Sequence, residues 1–264
     1  MARRAAREHP ELGPLTDDLL TEGVRVWQRL RGHRFSSDDV ATAYVAARAT
    51  PEARRFCDLG TGLGSVLLQL LWKLPGSSGA GVEAQAQSFT LLGENVARNG
   101  YASRVALLHA DLRSSEALAF LERAQPGGFE LVTGTPPYFP PGTAVAARDD
   151  QRTLARIEER GGVESYVEVG ARVLSARGTL VLCGDSRARA RLHDAARREG
   201  LGVAEEWDAI GRFGRPPLFS VWVLRREATP PTRHELLLRD AAGEPGPGAA
   251  LLRSFGGFAA PLRG

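Results

Sequence analysis

Phe56-Cys57-Asp58-Leu59-Gly60-Thr61-Gly62-Leu63-Gly64 is the stretch on which the reading of the fold turns. Arg54 to Cys57 reads as a short apolar strand, Asp58 to Gly64 turns it, and Ser65 to Leu74 continues apolar at helical spacing. The order is strand, glycine turn, helix. Gly79 to Glu83 then reads as a second strand. It ends on an acid about 20 residues beyond the glycines, the spacing at which a carboxylate meets a ribose. Gly60, Gly62 and Gly64 suit a backbone that turns tightly and admits a ligand where a Cβ would clash. Together these features indicate a nucleoside-bearing cofactor.

Upstream, Gly23 to Phe35 alternates apolar and polar side chains, as a strand or hairpin outside the main sheet would. Val40 to Arg48 reads as a helix capped by Ser37 or Asp38 and stopped by Pro51. Beyond Glu83 a helix is expected to about Asn99, then a third strand at Val105 to His109 and a helix from about Ser114 to Ala124. Phe129 to Thr133 is a fourth strand. It leads directly into Gly134-Thr135-Pro136-Pro137-Tyr138-Phe139-Pro140-Pro141, where four prolines in six residues exclude helix and central strand. This is a rigid loop at a strand's carboxyl end, the side on which open parallel sheets bind ligands.

Arg148 to Gly162 reads as a charged surface segment, Val163 to Ala176 as a helix, and Gly178 to Cys183 as a fifth strand. Ser186 to Glu199 reads as a basic helix, and Val203 to Ile210 with Leu218 to Arg225 as an antiparallel pair. The alternation implies an α/β fold, a doubly wound, mostly parallel seven-stranded sheet with an antiparallel last strand. Right-handed crossovers place the glycine turn, Glu83, Asp111 and the proline loop along one rim. Residues 1–34 are expected to be an N-terminal extension, 35–226 the catalytic domain, and 227–264 a Pro- and Gly-rich tail with short structure near Glu235 and Leu251.

The chain has 264 residues, 43% of them hydrophobic, enough for one substantial core. A net charge of +3, carried almost wholly by Arg, permits a polyanionic partner without requiring one. Cys57 and Cys183 fall in apolar runs, so both are expected to be buried thiols rather than a disulfide or metal site. His109 and His193 lack metal-ligand spacing and read as structural, so no metal is expected. No apolar run reaches the roughly 18 residues of a membrane span, and Met1 to Pro10 lacks a signal peptide's apolar stretch. A monomeric cytoplasmic protein is the default.

Several side chains keep two readings. Glu83 accepts from ribose hydroxyls or is a solvated charge. Asp111 accepts from an adenine amine or caps a helix. Asp58 orients the glycine turn or is a turn acid. Tyr138 stacks on an unpaired base or packs its own loop. Arg187, Arg191 and Arg198 bind phosphates or form a solvated face.

The pattern Gly60-x-Gly62-x-Gly64 departs from the dinucleotide fingerprint, whose third glycine comes one residue later. It resembles instead the cofactor loop Asp-Leu-Gly-Thr-Gly-x-Gly of class I methyltransferases dependent on S-adenosylmethionine. Thr135-Pro136-Pro137-Tyr138 is similar to the Asn-Pro-Pro-Tyr motif of enzymes that methylate adenine N6 or a glutamine amide. Leu15-Thr16-Asp17-Asp18-Leu19-Leu20, Gln28 and Gly32 to Asp39 resemble the leading segment of the bacterial tRNA(Val) adenine-N6 methyltransferases.

That resemblance implies cofactor contacts from Phe35, Ser37 and Asp38, from Asp58, Gly60, Thr61, Gly62 and Gly64, from Glu83, and from Asp111 with Leu112. It implies acceptor contacts from Thr135, Pro136, Pro137 and Tyr138, and an RNA substrate, tRNA-like. In the family a side-chain carbonyl and the first proline's carbonyl accept both amine hydrogens. Thr135 stands in place of the usual Asn and offers a shorter hydroxyl that also donates. The expected function is therefore an S-adenosylmethionine-dependent N-methyltransferase acting on an RNA adenine. The alternatives are a protein glutamine amide or small molecule as acceptor, or a cofactor- or RNA-binding relative impaired by Thr135.

Overall fold

The strand at the centre of the sequence is buried on both faces because its side chains alternate between two cores. In the computed structural model, which describes residues 5–138, 162–227 and 230–259, Phe56 joins one core while Cys57 and Leu59 join the other. The same period-two division holds for Leu131 and Val132, for Val181 and Leu182, and for Val221 and Trp222. Phe139 to Pro141 and the stretch from Arg148 to Gly161 lie outside the described residues.

Three strands, β1 (Arg7–His9), β2 (Gly13–Thr21) and β3 (Val24–Arg29), form a small antiparallel sheet. The main sheet comprises β4 (Arg55–Leu59), β5 (Ser78–Glu83), β6 (Val105–His109), β7 (Phe129–Gly134), β8 (Leu174–Gly184), β9 (Gly202–Ile210), β10 (Pro217–Arg225) and β11 (Thr232–Leu237). Its order is β11-β9-β10-β8-β7-β4-β5-β6, and β10 alone runs against the rest. The helices are α1 (Ser37–Ala49), α2 (Ser65–Lys73), α3 (Ala86–Arg98), α4 (Ser115–Ala124), α5 (Val163–Val173), α6 (Arg189–Arg198) and α7 (Pro247–Phe255). Side chains of α1, α2, α3 and α7 build one core and those of α4, α5 and α6 the other, so helices cover both faces of the sheet.

The expected doubly wound fold is present, with four local corrections. The sheet has eight strands rather than seven, because the Pro- and Gly-rich tail contains Leu236, Leu252 and Phe255, all buried. Those three side chains draw β11 onto β9 and α7 onto α1, where Phe255 meets Tyr44 edge-on at 5.7 Å. Helix α1 is capped by Ser36 rather than Ser37 or Asp38: Asp39, at its third position, accepts from the Ser36 amide at 2.9 Å. Helix α5 stops at Val173, because buried Leu174 already pairs with Phe129 in the sheet. Finally, Ser186–Ala188 forms a 3-10 turn, so Arg187 is not on the basic helix.

The small sheet is fastened to α3 by two asparagines one turn apart. Asn95 accepts from the Trp27 amide at 2.7 Å and donates to the Trp27 carbonyl at 3.1 Å; Asn99 treats Arg25 the same way at 3.0 and 2.8 Å. These amides stand in for the missing neighbour of β3. Asn95, fully buried, also donates to the Leu63 carbonyl at 3.0 Å, which links the small sheet to the glycine turn. Replacing Asn95 by Ala strands those backbone groups, so Asn95→Ala is expected to cost about 2 to 4 kcal/mol. Urea unfolding measures it, and Asn99→Ala, at the exposed end of the pair, is expected to cost less.

Candidate active site

The carboxyl ends of β4, β5, β6 and β7 meet in an open cleft with about 830 Å³ of empty space when its mouth to solvent is counted. Gly60 to Leu63 form one wall, Val82 to Gln85 the floor, and Ala110 to Leu112 the far side. Thr135 and Pro137 close it from β7, and His33 with Phe35 from the leading segment. The glycine turn and the proline loop, some 75 residues apart in the chain, therefore face one space.

Glu83 is the best-anchored group in the cleft. It is 5% exposed, and its two oxygens accept from the Gly62 amide at 2.8 Å and the Gln85 amide at 2.7 Å. Gly62 has φ +59, which favours glycine in the turn, and a Cβ built there meets nothing within 4 Å, so its side of the cleft is open. At Gly60, φ +62, a Cβ would strike the Tyr166 hydroxyl, and at Gly134 it would lie 2.6 Å from the same ring. Tyr166, from α5, thus wedges between the two loops.

Asp58 lies beneath the turn and does not line the cleft. Its carboxylate accepts from the Thr133 hydroxyl at 2.7 Å, and Thr61 donates to its backbone carbonyl at 2.6 Å. Burial, with the nearby Glu83 charge, pushes Asp58 up to about 7. Burial and the charge of Asp38 likewise hold Asp39 well above the usual carboxylate range. Asp111 lines the cleft and accepts from the Arg113 amide and guanidinium at 2.9 and 3.0 Å; the cap of α4 is Ser114, which removes the capping reading.

Other expected residues stand off the cleft. Gly64, at φ +97, heads α2, where a Cβ would lie 2.9 Å from Leu92. Ser37 and Asp38 belong to the first turn of α1, and Pro136 is buried behind Thr135. Tyr138 turns its hydroxyl inward, donating to Asp38 at 2.6 Å beside the Cys183 sulfur at 3.0 Å, so here it packs rather than presenting a face to a base. Arg187 is paired with Asp185 and Arg191 with Glu164 at 2.7 Å, which leaves Arg198 as the one exposed member of that trio with no ion pair among the described residues. Both cysteines are free and buried, and no cluster that could hold a metal occurs among the described residues.

His33, Asp39, Gln85, Ser88 and Tyr166 line the cleft without having been singled out. Gln85 and Ser88 open the helix that follows the ribose-spaced acid, a position the strand-end rule makes readable. Tyr166 carries no signal in the sequence, since its spacing is that of any core residue of α5.

No family model matches the chain. A tRNA1(Val) (adenine(37)-N6)-methyltransferase of Porphyromonas gingivalis is 28% identical over 151 residues, covering 56% of this chain and 57% of the relative. The same-named protein of Pedobacter heparinus is 23% identical over 210 residues, 80% of this chain and 85% of that one. A release factor glutamine methyltransferase of Caulobacter vibrioides is 34% identical over 95 residues, 35% and 30% of the two chains. The chain spans about half the length of the first curated relatives it matches. Among solved structures, protein Atu636 of Agrobacterium tumefaciens, a predicted O-methyltransferase, superposes with TM-score 0.62 at 17% identity over 85% of this chain and 98% of its own. The chain thus has the fold of these methyltransferases, and over about half of its length its sequence resembles theirs. TYW2 of Pyrococcus horikoshii, solved with MeSAdo, shares this methyltransferase fold with TM-score 0.54 at 14% identity over 81% and 72% of the two chains.

The raised Asp58 carboxyl has a defined effect on stability. Its folded pKa of about 7 exceeds the ordinary 3.8, so between those values the native chain binds more protons than the unfolded one. Stability therefore falls as pH rises through that window. Asp58→Asn keeps an acceptor for Thr133 and cannot ionise; its Tm, followed from pH 4 to pH 7, is expected to decline less than that of the wild type.

Proposed function

We propose that this chain is a cytoplasmic S-adenosylmethionine-dependent N-methyltransferase whose acceptor is an adenine amino group in RNA, with a tRNA-like substrate. The observation that carries this reading is the shared cleft: Thr135 and Pro137 open onto the space walled by the glycine turn and floored by Glu83. The names of the tRNA1(Val) relatives support the choice of acceptor.

The residues present fit the cofactor. Glu83, fixed by two backbone amides at the floor of the cleft, is the acid placed to meet ribose hydroxyls. Asp111 and Leu112 flank the place for an adenine, the first polar and the second apolar. Gly62 leaves its side of the cleft open. Bound there, S-adenosylmethionine supplies an electrophilic methyl group. The protein's part is orientation. Thr135 lines the cleft, and its hydroxyl makes no hydrogen bond among the described residues, so it is available to an acceptor amine. Together with the Pro136 carbonyl it would accept the amine hydrogens and aim the nitrogen lone pair, an electrostatic and positional contribution rather than base catalysis.

A second reading has a specific footing in the match to release factor glutamine methyltransferases, which also bring an amide nitrogen to a methyl donor. Labelled S-adenosylmethionine incubated with total RNA and, separately, with a protein extract decides between them. Transfer into RNA supports the first reading, and transfer into protein alone replaces it with the second. With the RNA substrate, Thr135→Val is expected to lower the rate by roughly 10² to 10³, as for loss of one oriented hydrogen-bond partner, while Thr135→Asn preserves or raises it. Glu83→Ala is expected to weaken S-adenosylhomocysteine binding at least tenfold in calorimetry, about 1.4 kcal/mol or more; unchanged affinity would remove the ribose assignment.

A further inference from the structure

Four of the arginines around α6 are held by carboxylates, Arg187 by Asp185, Arg189 by Asp208, Arg191 by Glu164 and Arg197 by Asp194, and only Arg198 has no ion pair among the described residues. A second basic patch on the same rim is not held in this way. Strand β9 runs parallel to β8, so the 211–216 connection to β10 leaves the sheet at the edge that carries the glycine turn and Thr135. Its tip exposes Arg212, Phe213 and Arg215. Among the described residues the Arg212 guanidinium donates only to the Ala241 carbonyl, at 2.7 Å, and that of Arg239 only to the Gly243 carbonyl, at 2.9 Å. Neither they nor Arg215 form an ion pair among the described residues, so three positive charges face solvent.

The tip also displays apolar surface. Phe213 is 65% exposed and Leu218 59%, two of the four large exposed hydrophobic residues among those described. The loop is nonetheless fixed: the Phe213 amide donates to the Arg239 carbonyl at 2.9 Å and the Arg215 amide to the Arg212 carbonyl at 3.0 Å, with Gly214 at φ +74. An exposed aromatic ring held between unpaired arginines is the composition of a single-strand platform, where a base stacks on the ring and phosphates meet the cations.

Position favours the same occupant. Strands β8 and β10 separate β9 from β7, so the tip stands about 10 to 15 Å along the rim from Thr135 at the usual strand spacing. The cleft lies on the opposite side of β7, over β4, β5 and β6. A base held at Thr135 therefore has the cofactor site on one side and this platform on the other. We propose that the 211–218 hairpin tip binds single-stranded RNA next to the target base, with Phe213 stacking on a neighbouring base and Arg212 and Arg215 contacting phosphates. The assignment rests on the RNA reading of the active site.

Anisotropy of a fluorescein-labelled RNA hairpin with an adenine-containing loop tests it, with calorimetry of S-adenosylhomocysteine as the check that the cleft is intact. Phe213→Ala is expected to weaken RNA binding roughly 5- to 100-fold. Phe213→Trp should retain it and Phe213→Leu should not. Removing Arg212 and Arg215 together should reduce the slope of log affinity against log salt by about 1.4. Cofactor affinity should be unchanged throughout. If the wild type binds the hairpin and the Phe213 and Arg variants bind it equally well, the platform is wrong and the RNA reading stands. Leu serving as well as Phe also overturns the platform, since the site would then be an apolar contact of the kind a protein partner makes. If the wild type binds S-adenosylhomocysteine but no RNA, both the platform and the RNA reading fall.

Discussion

A single carboxylate joins the two consecutive strands at the heart of the molecule. Glu83, at the end of β5, accepts from the Gly62 amide of the preceding turn and from the Gln85 amide that leads into α3. Burying an ionised acid is costly unless its oxygens are met, and here backbone donors meet both. The turn is thereby held open in the shape that glycine permits, with a positive φ at Gly60, Gly62 and Gly64. The cleft exists because this geometry is locked before any ligand arrives.

Support for that lock comes from well outside the cleft. Asn95 connects the small amino-terminal sheet to Leu63, and Gln28 accepts from the Phe35 amide at 2.9 Å, which sets the leading segment against the cleft. The small sheet is therefore a buttress for the site as well as an appendage. On the other side, the backbone of β7 continues into the proline loop, whose restricted φ values leave Thr135 little freedom to move away.

The elements that were legible in the sequence are those with strong local signals. The strand at Phe56, the glycine turn, Glu83 and the helix at Ser65 all follow from apolar period and chain punctuation, and their observed bounds differ by a residue or two. β11 and α7 were weaker because Pro and Gly dominate the composition of the tail, while three buried side chains decide its structure. Ion pairing was invisible for a different reason: Arg191 and Glu164 are 27 residues apart, and only the packing of α6 on α5 brings them together. Tyr166 shows the limit most clearly, since its place between the loops depends on a crossover whose length no local pattern encodes.

That tyrosine has a consequence for how the site can change. One ring touches the positions of both Gly60 and Gly134, so the separation of the glycine turn and the proline loop is gauged by a residue belonging to neither. A methyl group added at either glycine collides with it; a smaller side chain at 166 would relieve the clash at Gly134, whereas Gly60 would still be held to glycine by its φ of +62. The three positions form one unit in which substitutions are non-additive, and the gap between the two loops is tuned from α5.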